Sequence, residues 1–103
     1  MDTRRASNPL GRIRVEELTS DVLEDLASEI ERKVSEYLSS KLPRKSVFNT
    51  TVSLEVEGDH VNLLLDLEAS GPFGDIYDYG QVLRDAINYA RSVFEELIEK
   101  YRS

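Results

Sequence analysis

The segment from Val47 to Ala69 constrains the fold more than any other part of the chain. Phe48, Thr50, Val52, Leu54 and Val56 alternate with Asn49, Thr51, Ser53, Glu55 and Glu57. After Gly58-Asp59 the alternation resumes, with Val61, Leu63, Leu65, Leu67 and Ala69 set against His60, Asn62, Leu64, Asp66 and Glu68. Successive strand side chains point to opposite faces, so each half has one apolar and one polar face. A Gly-Asp loop suits a primed hairpin turn, in which glycine takes a positive φ without steric cost. That loop pairs Val56 with Val61, Leu54 with Leu63 and Val52 with Leu65, and both apolar rows then coincide. A one-residue slip would turn one row to solvent.

Helical periodicity flanks the hairpin on both sides. Leu23, Leu26, Ile30, Val34, Tyr37 and Leu38 form one apolar stripe. The spacing predicts a helix that starts near Thr19 or Ser20, either of which can cap its first amides. It ends before Pro43, because a residue preceding proline avoids helical geometry. On its outer side Glu29 and Lys33 are placed to pair. Asp78 and Gln81 resemble a capping box opening a second helix. Its stripe is wide: Val82, Leu83, Ala86, Ile87, Ala90, Val93, Phe94, Leu97, Ile98 and Tyr101. The expected fold class is α+β, a helix–β-hairpin–helix with both helices on one face of an antiparallel sheet. Arg12 to Val15 alternates briefly and is a candidate for a short extra N-terminal strand. Residues 1–11, broken by Asn8-Pro9 and Gly11, read as a disordered basic arm, and residues 12–103 as a single domain.

Charge and composition narrow the function classes. The net charge of −7 disfavours broad nucleic-acid binding. The charge is uneven, since Arg4, Arg5, Arg12 and Arg14 against Asp2 leave +3 on the first fourteen residues and −10 on the rest. Those four arginines are the candidate RNA contacts, so RNA is expected to be met only indirectly or through this arm. There is no cysteine, hence no disulfide and no thiolate metal site. An intracellular, cytoplasmic protein is the natural expectation. No apolar run approaches the length of a membrane span, and no membrane partner is expected.

The chemistry-bearing residues do not assemble into an active site. His60, the single histidine, sits at the hairpin tip and cannot form a usual zinc site alone. Asp66 and Glu68 share the polar sheet face, where a solvated pair of carboxylates is the expected reading. Gly71-Pro72-Phe73-Gly74 precedes a helix but lacks the Lys-Ser/Thr of a phosphate loop. No nucleophile–base pair is recognisable. The expectation is a non-enzymatic protein with no cofactor, no metal and no evident small-molecule ligand.

What remains is surface for a protein partner. A two-stranded sheet is rarely stable alone, and the second helix's stripe is broader than one hairpin face needs. The candidate interface residues are Leu64, the one large apolar residue on the polar face, then Val82, Val93, Ile98 and Tyr101 as exposed positions of the last helix. Phe73 and Tyr77 form a candidate aromatic spot. Homodimer and heterodimer need the same oily surface and both stay open.

The order of helix, Tyr37-Leu38-Ser39-Ser40-Lys41-Leu42-Pro43, alternating hairpin and terminal helix resembles a small archaeal domain-of-unknown-function family over roughly residues 16–102. The half from Thr51-Val52-Ser53-Leu54-Glu55-Val56-Glu57-Gly58 through Ala69 to Phe94 also resembles the small dimerising subunit of KEOPS, the complex that forms threonylcarbamoyladenosine in tRNA. The resemblance implies a non-catalytic paralogue of that subunit, pairing with it through strand edges and the terminal helix. The weak first strand, Arg12 to Val15, departs from the full strand that begins the dimerising subunit.

Overall fold

The computed structural model describes residues 13–73 and 76–102. A short 3-10 turn (Val15–Glu17) leads into helix α1 (Ser20–Lys41). Strands β1 (Val47–Glu57) and β2 (His60–Ser70), helix α2 (Tyr79–Ile98) and a second 3-10 turn (Glu99–Tyr101) follow. The α+β helix–hairpin–helix is therefore the observed architecture. The basic arm, with Arg4 and Arg5, and the neighbouring Arg12 lie outside the described residues.

The hairpin has the register that the alternation requires: Val56 lies opposite Val61, Leu54 opposite Leu63 and Val52 opposite Leu65. Gly58 has a φ of +65°, with nothing within 4 Å of where a Cβ would stand, so glycine serves backbone conformation here and not space. Among the described residues Lys45 is the one non-glycine with positive φ. Positive φ at Gly58 but not at Asp59 is the pattern of a type II′ turn.

The helix ends form as their residues dictate. Thr19 Oγ1 accepts from the Val22 N–H at 3.3 Å. Leu42, which precedes Pro43, is extended at φ −85° and ψ 146°. Asp78 Oδ1 accepts from the Gln81 N–H at 3.0 Å. The Gln81 side chain donates to Asp85 instead of turning back, so only half of the capping box forms. On the outer side of α1 the Glu29 carboxylate is taken by Arg32 at 2.9 Å, with Lys33 farther off at 3.9 Å. Glu29, through its hydrogen bond and charge, raises the Arg32 pKa.

Both helices pack on the apolar hairpin face, α1 over β1 and α2 over β2, and they touch each other. Leu26, Ile30, Val34 and Leu38 recur every fourth residue along α1 and are buried. They meet Val52 and Leu54 of β1 and Ala86, Ala90, Val93 and Ile98 of α2 in one cluster. Tyr37 of α1 stacks on Tyr89 of α2 with centroids 4.8 Å apart. Burying each large aliphatic side chain contributes about 1.5–3 kcal/mol.

Two expectations are corrected here. Val93 and Ile98 are not exposed; they are 4% and 2% accessible. The stripe of α2 is wide because it meets α1 and the sheet at once, and both residues lie inside that contact. Nor do Ile13 to Val15 extend the sheet, which has two strands among the described residues. Ile13 instead forms a single bridge with Arg102, and the Arg14 N–H donates to the Tyr101 carbonyl at 2.7 Å. The Arg14 guanidinium donates to the carbonyls of Lys100 and Tyr101. Carbonyls at a helix C-terminus have no partner within the helix, and this arginine supplies one.

The opposite end is closed by hydroxyls. Tyr77 donates to the Lys41 carbonyl at 2.6 Å, and the Tyr79 and Ser46 hydroxyls lie 3.0 Å apart. Gly71 runs beneath them. A Cβ there would strike the Tyr79 hydroxyl and stand 3.1 Å from the Ser46 Cα.

Gly71→Ala is expected to lose about 1–3 kcal/mol by overpacking, read as a lowered denaturation midpoint. Val93→Asp buries an unpaired carboxylate and should abolish cooperative thermal unfolding followed by circular dichroism. A Val93→Asp chain that melts like wild type would contradict its place in the core.

Candidate interaction surface

The covering of the sheet is uneven. On β1, Val52 and Leu54 are each 9% accessible. Their cross-strand partners Leu65 and Leu63 are only half-buried, as are Val61 and Leu67. The middle of the apolar face thus closes on the β1 side, where Phe48 and Val56 towards its ends stay exposed, and the β2 row stays partly open along its length. Between β2 and α2 runs an open groove of about 470 Å³, lined by Leu63, Leu65, Ile87, Phe94, Arg91 and Glu95. Arg91 and Glu95 are exposed on its lip. Among the described residues neither is in an ion pair.

The outer edge of β2 borders this groove and, among the described residues, pairs with no other strand. In an antiparallel ladder, residues alternate between hydrogen-bonded and non-hydrogen-bonded pairs. Glu57 and His60 flank the two-residue loop and form the first hydrogen-bonded pair. By alternation, the backbone groups of Val61, Leu63, Leu65, Leu67 and Ala69 point to the free edge. An unpaired edge beside an apolar row is a template for a further strand.

The polar sheet face has no covering element among the described residues. All its side chains are exposed except Asn62, which is half-buried. Leu64 stands on this face at 43% accessible. Asn62 donates to Glu57 at 3.1 Å, and His60 lies 3.3 Å from Asp59 at the tip. Asp66 and Glu68 are exposed here, and among the described residues no group of three His, Asp or Glu is placed to hold a metal ion.

The candidate interface residues scatter across the molecule. Leu64 is exposed beside the free edge, whereas Val82 and Tyr101 are half-buried against the core. Phe73 is half-buried, and its carbonyl accepts from Ile76 and Tyr77. Tyr77 packs edge-on to Tyr79 at 5.1 Å. This aromatic pair fastens the start of α2 to the end of α1. Of the candidate RNA contacts, Arg14 is engaged with the C-terminal carbonyls and with Glu17 at 3.3 Å. The sequence reading did not single out Leu63, Leu65, Ile87, Phe94, Arg91 or Glu95 as a site. The excess breadth of the α2 stripe was the signal for Ile87 and Phe94.

Comparison with family models, with curated proteins and with solved structures found no match. No described helix is long and apolar enough to cross a membrane.

Leu64→Ser is expected to change folding stability by less than about 0.5 kcal/mol, whereas Leu54→Ala should cost about 2–5 kcal/mol. Urea titrations of the two variants measure the contrast. Equal losses would show that Leu64 serves the chain's own fold.

Proposed function

We propose that this chain is a non-catalytic protein-interaction subunit that receives a partner along the outer edge of β2. One observation carries the reading: an unpaired strand edge lies beside an apolar row that α2 covers only in part. A partner strand would satisfy the edge amides and carbonyls, and its own apolar side chains would fill the groove at Leu63, Leu65, Ile87 and Phe94. Backbone pairing supplies geometry, and burial of the oily row supplies most of the affinity.

The resemblance to the small dimerising subunit of KEOPS nominates that subunit as a partner. This chain would then be an accessory subunit of the threonylcarbamoyladenosine-forming complex. RNA binding through the basic arm gains no support from Arg14, whose guanidinium is occupied at the C-terminus.

Light scattering on the purified chain, mixed with the small KEOPS dimerising subunit, tests the assignment. A single mixed species in place of two separate ones is expected. Two unchanged species would remove the KEOPS assignment.

A further inference from the structure

We propose that the corner where α1 turns into β1 is a docking surface for a short acidic segment of a partner protein that carries an apolar side chain. This surface is separate from the outer edge of β2, and its test leaves that edge untouched.

The corner contains a turn built against its own backbone preference. The Ser46 N–H donates to the Pro43 carbonyl at 3.2 Å, which closes a β-turn over Arg44 and Lys45. Lys45 has a φ of +72° and Arg44 has no positive φ, the pattern of a type II turn. The third position of such a turn calls for glycine or asparagine, because a Cβ crowds the backbone in the left-handed region. Here that position holds a lysine. Both corner residues are exposed, so a strained turn holds two cations out from the body. Strain of this kind is retained chiefly where a surface has a use for the side chain.

The positive charge is concentrated at this corner. Between Lys33 and Arg84 the chain has three lysine or arginine residues, Lys41, Arg44 and Lys45. Among the described residues none of the three is in an ion pair. Lys41 lies over the Tyr37 ring, 5.7 Å from its centroid, and suits the negative end of α1. That pull fades within the last helical turn. Arg44 and Lys45 stand beyond it, past the extended Leu42, so the helix does not account for them.

Apolar surface gathers at the same place. Of the five large apolar side chains exposed among the described residues, three are here: Val47 at 64%, Phe48 at 37% and Ile76 at 83% accessible. Val47 and Phe48 follow the turn directly. Ile76 adjoins Tyr77, whose hydroxyl donates to the Lys41 carbonyl at 2.6 Å, so the loop before α2 is held against this corner. A hollow of about 270 Å³ opens at the end of the hairpin, lined by the cross-strand pairs Val47–Ser70, Phe48–Ala69 and Asn49–Glu68.

These features select the occupant. Carboxylates match the three cations through charge-assisted hydrogen bonds, bidentate at Arg44. Val47 and Ile76 need an apolar counterpart, which a phosphate backbone does not offer. An extended anionic surface would also meet Glu68, Asp78 and the net charge of −7, whereas a short segment engages the corner alone. Glu68 lines the hollow and repels a carboxylate there. The segment's apolar side chain therefore enters the hollow, and its acids lie over the turn.

Fluorescence anisotropy on the full chain tests this with short synthetic peptides in which glutamates flank a leucine or phenylalanine. Matched peptides carry glutamine for glutamate, or serine for the apolar residue. The glutamate peptides are expected to bind, and both matched sets to bind roughly tenfold or more weakly. Replacing both cations, Arg44→Gln with Lys45→Gln, should weaken binding by roughly the same tenfold factor. Ile76→Ser should weaken it with melting unchanged. Lys45→Gly separates binding from folding. Relieved of the left-handed strain, this variant should melt a few degrees higher and yet bind the peptide more weakly. A Lys45→Gly chain that melts higher and binds as tightly as wild type would overturn the role of the turn. Failure of every glutamate peptide to bind would overturn the docking surface. Tighter binding to heparin or to phosphatidylglycerol vesicles than to the peptides would overturn the class of partner.

Discussion

The molecule depends on one apolar face shared in register by two strands. Among the described residues neither strand has another neighbour in the sheet, so the hairpin draws no support there from a wider sheet. Its turn sets the pairing through Gly58, and the pairing collects Val52, Leu54, Leu63 and Leu65 on one side. Everything else answers to that face. Helix α1 lays a row of every fourth residue on it, and α2 adds the small residues Ala86 and Ala90, both fully buried. Because strand side chains alternate, displacing the register by one residue would present the polar row of one strand, that of Ser53 or that of Asp66, to the helices.

The two helices do not cover the two strands equally, and the functional surface comes from that inequality. Val52 and Leu54 are sealed beneath the packed helices, while Leu63 and Leu65 remain half-open beside Ile87 and Phe94. A narrow hairpin under two helices leaves apolar area on one flank, and the backbone edge on that flank is also unpaired. Exposed apolar area and unsatisfied edge groups are separately liabilities. Placed together, they form a site that a strand can fill.

Residues that looked adhesive in the sequence serve to hold the chain ends. The Tyr77 and Tyr79 hydroxyls reach the Lys41 carbonyl and Ser46, across the glycine at position 71. At the other end Arg14 reaches the last carbonyls of the C-terminal turn. Both are long-range contacts between residues far apart in sequence. A tyrosine or an arginine reads the same in a sequence whether its polar tip meets a partner or its own backbone.

Local chemistry alone determined the elements and their order. The alternation set the hairpin and its register, Thr19 and Asp78 set the helix starts, and Pro43 set the end of α1, because each acts within a few residues of chain. The sequence also marked Leu64 as an apolar residue on a polar face. Only the tertiary structure decided which apolar residues are spare. Val93 and Phe94 are neighbours in the same stripe, yet Val93 is buried and Phe94 lines the groove. That difference depends on how far α2 overhangs β2, which is set by packing against α1. The same packing turned Ile13 and Arg14 from a possible third strand into a cap on the C-terminus. Periodicity fixes the face a side chain occupies on its own element; what covers that face depends on where the other elements come to rest.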